Sequence, residues 1–282
     1  ADGKMPFFAF IADLSTANGK ALVQLVTETD ATETSQCIFG NSLEDFQSAP
    51  LEQVEVLVLA VFAGGNPQVI ADLWPKVKSS VRWIHSLAAG VDTLVPVLNH
   101  LKAEVPLTNA KGAFSRGLAE YGVAAMLHFN KQIPRLQANR GARIWDKFIM
   151  NALHGKTCGF IGFGDIAQHT AKLCRALGMR VLAWRNRKTK SEGNELADRV
   201  LYASDGPQAK HEIFEQSDFV ICSLPGGEAT YHACGAAEFA VMKPDGVFIS
   251  MGRGSCVDEA ALVEVLKNKK ILGAALDVFE KE

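Results

Sequence analysis

The stretch Thr157-Cys158-Gly159-Phe160-Ile161-Gly162-Phe163-Gly164-Asp165-Ile166-Ala167 decides how this chain is read. An apolar run of strand length, Thr157–Ile161, passes directly into G-x-G-x-x-A and then into a helix candidate, Ile166–Leu177. Each small residue has its own task. Gly162 allows a tight turn, Gly164 lets the backbone approach a pyrophosphate, and Ala167 permits close packing of helix on strand. Backbone N–H groups at Asp165 and Ile166 open the helix, where the peptide dipoles favour an anion. Glycine turns are common, and a plain structural turn is the competing reading. The strand before and the helix after favour dinucleotide binding.

Outward from this point, strand-length apolar runs alternate with helix-length amphipathic ones. Towards the C-terminus, strands are expected at Arg180–Trp184, Phe219–Ser223, Gly246–Met251 and Leu272–Val278. Helices are expected at Gln208–Gln216, Ala236–Met242 and Asp258–Asn268, and Lys188–Asn194 reads as a polar loop. Towards the N-terminus, Pro6–Ala12, Ser35–Phe39, Glu55–Val61 and Val81–Ser86 read as strands. Between them lie helices at Gly19–Glu28 and Pro67–Val77, the second opened by Asn66-Pro67 in cap and first-turn positions. Uniformly apolar strands belong to parallel sheets covered by helices on both faces. The two series are joined by a long helix, Ser115–Lys131, that Pro134 bends or ends. The pattern implies an α/β chain of two doubly wound domains with a cleft between them.

The end of the second strand in the glycine-loop series selects the cofactor. An NAD site places Asp or Glu there, about 20 residues after the loop, to bind the ribose 2′-hydroxyl. Here the strand ends Trp184-Arg185-Asn186-Arg187-Lys188, with Arg185 23 residues after Gly162. Guanidinium groups at Arg185 and Arg187, with Asn186 between them, suit a 2′-phosphate that a carboxylate would repel. An ordinary solvated basic loop is the alternative. NADP(H) is therefore expected over NAD(H).

Composition sets the outer bounds. The 282 residues are 48% hydrophobic and 21% charged, which excludes a disordered tail, a collagen-like rod and a small disulfide scaffold. With 29 basic and 31 acidic residues the net charge is −2, so nucleic acid and anionic membranes are not expected partners. No apolar run reaches the roughly 18–20 residues of a membrane span. The six cysteines stand singly, without C-x-x-C, and read as reduced thiols of a cytoplasmic or organellar-matrix protein. The sequence begins Ala1-Asp2-Gly3-Lys4 rather than with Met, which is compatible with a removed targeting peptide. The seven histidines suggest no metal site.

Four segments together resemble the D-isomer-specific 2-hydroxyacid dehydrogenases, the group that includes glyoxylate/hydroxypyruvate reductases. The first runs from Gly155-Lys156-Thr157 through the glycine loop to Ala167. The second is Ser223-Leu224-Pro225-Gly226, similar to the family's second cofactor-wall loop. The third, Met242-Lys243-Pro244 to Met251-Gly252-Arg253-Gly254, resembles its catalytic-arginine strand. The fourth, Gly273–Glu282, is similar to the segment holding its catalytic glutamate.

The resemblance implies a Rossmann-type doubly wound parallel sheet plus a flavodoxin-like α/β substrate domain. It implies a substrate (catalytic) domain at 1–108, lacking its C-terminal return helix. An NAD(P)-binding domain at 109–282 would follow, its linking helix at about 115–133. Arg253 is implied to bind and polarise a small 2-oxo acid, in a position where a guanidinium at a strand's C-terminal end can grip both carboxylate and carbonyl. A surface Arg in a Gly-Arg-Gly turn is the plainer alternative. Leu224, Pro225, Met251 and Arg253 are implied to wall the cofactor, and Asp277 to accept a hydrogen bond from its carboxamide. Glu282, 29 residues after Arg253, corresponds to the glutamate that pairs with the catalytic His and raises its pKa. Trp83–Asp92 resembles the substrate-domain loop, where Ala88, Ala89 and Gly90 would turn backbone amides to the substrate carboxylate. A strand-to-helix turn that needs a glycine would look the same. A homodimer is implied, with the long helix and Arg135–Trp145 as its interface.

The family's proton-donating His lies some tens of residues past that glutamate, and none of the histidines present has its context. The expectation is a chain that continues beyond Glu282 to supply it. A chain ending there would instead be a non-catalytic NAD(P)-binding regulatory or assembly protein on the same fold.

Overall fold

The computed structural model describes residues 6–29, 36–188 and 193–281. They divide into two compact units, the first running to Ala113 and the second starting at Phe114.

The first unit follows the order β1 (Phe7–Ile11), α1 (Ala17–Thr29), β2 (Gln36–Gly40), β3 (Val56–Leu59), α2 (Gln68–Val77), β4 (Trp83–Ser86), α3 (Leu94–His100) and β5 (Leu107–Asn109). Among the described residues these strands form one parallel sheet in the order β2-β1-β3-β4-β5, a flavodoxin-like arrangement. Register is set by side-chain alternation. Ala9, Ile11, Leu57, Leu59 and Ile84 point into a core completed by Val69, Ile70, Leu73 and Val77 of α2 and Leu94 and Leu98 of α3. On the other face, Leu22 and Val26 of α1 pack with Phe10. Asn66 caps α2 from outside, its Oδ1 accepting the Gln68 amide at 2.9 Å. The unit extends past β5 because Asn109 Nδ2 donates to Ala89 O (2.6 Å) and Ala110 N to Ala88 O (3.2 Å).

The second unit opens with α4 (Ser115–Asn130) and α5 (Ile133–Ala142). It continues β6 (Thr157–Ile161), α6 (Asp165–Ala176), β7 (Arg180–Arg185), β8 (Arg199–Tyr202), α7 (Pro207–Gln216) and β9 (Phe219–Cys222). It ends with α8 (Ala236–Ala240), β10 (Val247–Ser250), α9 (Glu259–Lys267) and β11 (Gly273–Leu276). Its sheet is parallel, ordered β11-β10-β9-β6-β7-β8, the Rossmann order. β6, β9 and β10 are buried along their whole length. Two apolar layers account for that: Phe160, Ile221 and Ile249 face α4 and α6, while Ile161, Val220 and Phe248 face α7, α8 and α9.

Several local readings change. Pro134 does not simply end the long helix. That helix stops at Asn130, Gln132 turns left-handed (φ 52°), and Pro134 occupies the first turn of α5, where its missing N–H costs nothing. The polar stretch from Gln137 is thus helical as far as Ala142. Three elements had no strong pattern and were not anticipated: the three-residue β5, the short β8, and α3, whose Pro96 lies within the helix. Within the loop expected at Lys188–Asn194, residues 189–192 lie outside the described residues.

Candidate active site

The glycine loop sits where the second sheet reverses its strand order, between β6 and β9, the position at which open α/β sheets bind ligands. Gly162 is left-handed (φ 84°), and a Cβ on it would lie 3.0 Å from the Leu224 side chain. Its amide donates to Trp184 O (3.1 Å) and its carbonyl accepts from Ser223 Oγ (3.1 Å), so the turn is tied to β7 and to the loop after β9. Gly164 is the N-cap of α6 and is exposed, with open space where a Cβ would stand. No side chain caps this helix, so its first amides, including Asp165 and Ile166, present the dipole's positive end at the edge. Ala167 is fully buried against the sheet with Ala171 and Cys174, the i, i+4, i+7 face of α6. This cradle fits a dinucleotide pyrophosphate.

The opposite wall is built by close backbone approach. Leu224 is buried, and a Cβ at Gly252 would overlap its backbone. Only glycine lets the β10 exit pass so near the β9 exit. Pro225 is exposed, its carbonyl accepting Thr230 Oγ1 at 2.7 Å. Met251 is buried, with its side chain against Gly122 of α4 and its amide donating to Cys222 O at 2.9 Å. Arg253 follows at the C-terminal end of β10, half-buried. Its Nη1 donates to Gly252 O (3.1 Å), and its Cγ would lie 3.3 Å from a Cβ at Gly226. Sequence reasoning did not single out Ser223, Gly226 or Gly252. The S-L-P-G and G-R-G spacings held the signal for the two glycines.

Asp277 is exposed just past β11, its amide donating to Ser250 O at 2.9 Å. Burial raises the Tyr121 phenol on α4, and the Asp277 charge adds to that. Glu282 lies outside the described residues.

At the end of β7, Arg185 is 7% exposed, with its guanidinium 5.3 Å from the Phe163 ring centroid. Asn186 and Arg187 are exposed beyond it, and Lys188 pairs with Asp205 at 2.7 Å. In the first unit, Ala88 and Ala89 follow β4 in a bend that leads into Gly90. The Ala88 amide already bonds Ser86 Oγ (3.2 Å), and the Ala89 carbonyl accepts Asn109. Among the described residues no group of three His, Cys, Asp or Glu could hold a metal ion. No described helix is long and apolar enough to cross a membrane.

The family described as "D-isomer specific 2-hydroxyacid dehydrogenase, NAD binding domain" matches residues 123–282. This chain belongs to the D-isomer specific 2-hydroxyacid dehydrogenase family. Within that family it is 30% identical over 242 residues to a glyoxylate reductase of Thermococcus litoralis, covering 82% of this chain and 69% of the relative. It is 31% identical over 238 residues to a D-3-phosphoglycerate dehydrogenase of Methanocaldococcus jannaschii, spanning 82% of this chain but only 43% of that longer protein. A solved 2-hydroxyacid dehydrogenase from Xanthobacter autotrophicus, in complex with NADPH and MES, shares the fold. The TM-score is 0.78 at 22% identity, over 99% of this chain and 82% of the other. Residues 123–282 take in α4 from Val123 onward, the glycine loop, the Leu224 wall and Arg253, so the family's NAD-binding domain is the second unit's sheet and its covering helices.

Proposed function

We propose that this chain is the core of a reductase that transfers hydride from NADPH to a small 2-oxo acid such as glyoxylate or hydroxypyruvate. The carrying observation is Arg253 at the β10 exit, across the sheet reversal from an uncapped helix N-terminus. A bound reduced nicotinamide supplies the hydride. Arg253 holds the substrate carboxylate and hydrogen-bonds the carbonyl oxygen, drawing charge off the carbon that is attacked. Asp277 orients the carboxamide and so the reactive face. Ala89 and Gly90 are assigned to the same class of anion. Glu282 is assigned to holding a proton-donating imidazole. The glyoxylate reductase relative supports the substrate class.

The preference for NADP(H) rests on Arg185, Asn186 and Arg187 standing where an NAD site carries an acid. The exposed Arg187 is the direct phosphate ligand in this reading, and Arg185 a buried charge behind it.

A homodimer is part of the proposal. α5 buries none of its residues, while Trp145 and Ile149 beyond it are 87% and 90% exposed. Apolar side chains that open to solvent suit a second copy. Trp145→Ala is expected to shift light-scattering mass from dimer towards monomer.

The decisive experiment follows loss of NADPH absorbance with a panel of 2-oxo acids. Turnover is expected, with Arg253→Ala lowering kcat/KM by about 10³-fold and leaving the NADPH Kd within about two-fold. Silence of the full-length wild-type protein, with whatever follows Glu282 included, towards every 2-oxo acid overturns the proposal. Arg187→Glu should raise the KM for NADPH about ten-fold and leave that for NADH nearly unchanged.

A further inference from the structure

The segment after β11 is fastened at three points. Its backbone presses on the residue that follows Arg253: a Cβ at Gly254 would overlap the Phe279 carbonyl and the Glu280 amide. The Glu280 amide donates to Glu259 Oε1, at the start of α9, at 2.6 Å. The Glu280 carboxylate then reaches across to the loop after β9. Its Oε1 accepts from the Tyr231 hydroxyl at 3.0 Å and lies 3.2 Å from His232 Nε2.

Tyr231 and His232 are themselves constrained. Their rings stack with centroids 3.9 Å apart and 15° between planes. His232 is left-handed (φ 47°), a region that a residue with a side chain occupies only where its surroundings hold it. One thing that holds it is the bond from its amide to Ser255 O, 2.9 Å, two residues after Arg253. The dipeptide therefore grips the Arg253 turn through its backbone and Glu280 through both side chains. Glu280 also keeps the Tyr231 phenol protonated by accepting its hydrogen bond.

We propose that Tyr231, His232 and Glu280 form a latch that fixes the segment after β11 against the Arg253 turn. They act as positioning residues for Arg253 and Asp277. No chemistry is assigned to them. The role in turnover rests on the reductase reading above; the latch itself does not. Asp277 is anchored to Ser250 at the near end of the segment, and Glu280 is anchored by the latch at the far end. Arg253 leaves the sheet between these anchors, so loosening one end relaxes the frame in which its guanidinium is held.

The test uses the full-length protein, with whatever follows Glu282 included, in four forms: wild type, Glu280→Ala, Glu280→Gln and Tyr231→Phe. By hydrogen-exchange mass spectrometry, the peptide covering 276–281 should exchange about ten-fold faster in Glu280→Ala, with β6 and α6 unchanged. Glu280→Gln, whose amide oxygen still accepts from Tyr231, should stay within about three-fold of wild type. Tyr231→Phe removes one exposed hydroxyl, keeps the fold, and should give an intermediate rate. Unaltered exchange in both Glu280→Ala and Tyr231→Phe overturns the latch. In turnover of a 2-oxo acid, Glu280→Ala should lower kcat about ten-fold, keep the KM for NADPH within about two-fold, and be largely rescued by Glu280→Gln. An unchanged kcat overturns the positioning role. If the full-length wild type turns over no 2-oxo acid, the reductase reading fails, and exchange alone decides the latch.

Discussion

The two sheets share an all-parallel design but differ in how their faces are covered. In the second unit, β6, β9 and β10 are buried at every position. In the first, the central β3 is likewise buried at every position, but β1 alternates buried with half-buried residues, and β4 begins on the exposed Trp83. One face of that sheet carries a half-open aromatic row in which Phe10 stacks on Phe39 at 5.0 Å. Trp83 and His85 share the Thr108 hydroxyl on the same sheet, each at 2.7 Å. In the second sheet the exit loops approach by direct backbone contact at Gly252 and Gly254, and Ser223 Oγ adds a side-chain bond to Gly162 O. The first sheet uses both means: a Cβ at Gly65 would overlap the Ile11 carbonyl, and Asn109 and Ser86 add side-chain hydrogen bonds.

Four experiments would break or sharpen this contrast. The largest effect is expected from Phe160→Ala, which empties a fully buried position and should cost about 4 kcal/mol in denaturant unfolding. Phe39→Ala, on the half-open row, should cost about 1 kcal/mol. Equal costs would show that the two faces are packed alike. Next comes Gly254→Ala. Its methyl meets backbone that cannot swing aside, and about 3 kcal/mol of destabilisation should accompany displacement of the Phe279 segment. A variant as stable as wild type would show that the exit is compliant.

A smaller effect concerns acid. Burial pushes the Glu238 carboxyl up, but the Lys210 hydrogen bond, the Gly235 amide and the Lys210 charge outweigh it, so the net shift is downward from 4.5. Lys210 Nζ lies 2.8 Å and His211 Nε2 3.3 Å from its Oε1. The folded chain therefore holds this proton less tightly than the unfolded one. The stabilisation is complete above about pH 4.5 and is lost as pH falls through the lowered folded value. Glu238→Gln should lose about 1–2 kcal/mol at neutral pH and unfold with a flatter dependence below pH 4.5. An unchanged acid limb would remove Glu238 from the account.

The gentlest contrast is in thiol labelling. The five cysteines of the second unit are buried, and Cys37 in the first is half-buried. Burial pushes the Cys158 thiol well up, with Cys174 beside it. Hydrogen bonding with Cys234 does the same for Cys222, and with Cys222 for Cys256. Native protein should therefore react with a thiol reagent at Cys37 first, at neutral pH, and at the others only on unfolding. Fast labelling of Cys222 or Cys256 would mean that the β9 exit opens.

Much of the fold was legible because its signals are local. The apolar runs at Phe7–Ile11, Val56–Leu59 and Thr157–Ile161, with turn residues between them, mark parallel strands directly. What escaped notice was short or ambiguous. β5 has three residues, too few for a period, and Pro134 can end one helix or begin another with the same side chain. In the site, Gly162, Gly164 and Ala167 were legible as a glycine turn from their spacing, and Arg253 was marked out only by the family resemblance of its strand. Tyr231, His232 and Glu280 were not. Their meeting spans 48 and 49 residues of sequence and has no periodic signature.

The sequence by itself determined the α/β class, the strand–glycine–helix cradle and the absence of an acid at the end of β7, since each depends on neighbours within a few residues. Tertiary structure alone decided the strand orders that bring the Gly162 and Leu224 loops together. It also decided the burial of Arg185 over Phe163, and the fastening of the Phe279 segment onto Gly254. Those depend on which distant backbones can approach within van der Waals distance, and only the packed chain settles that.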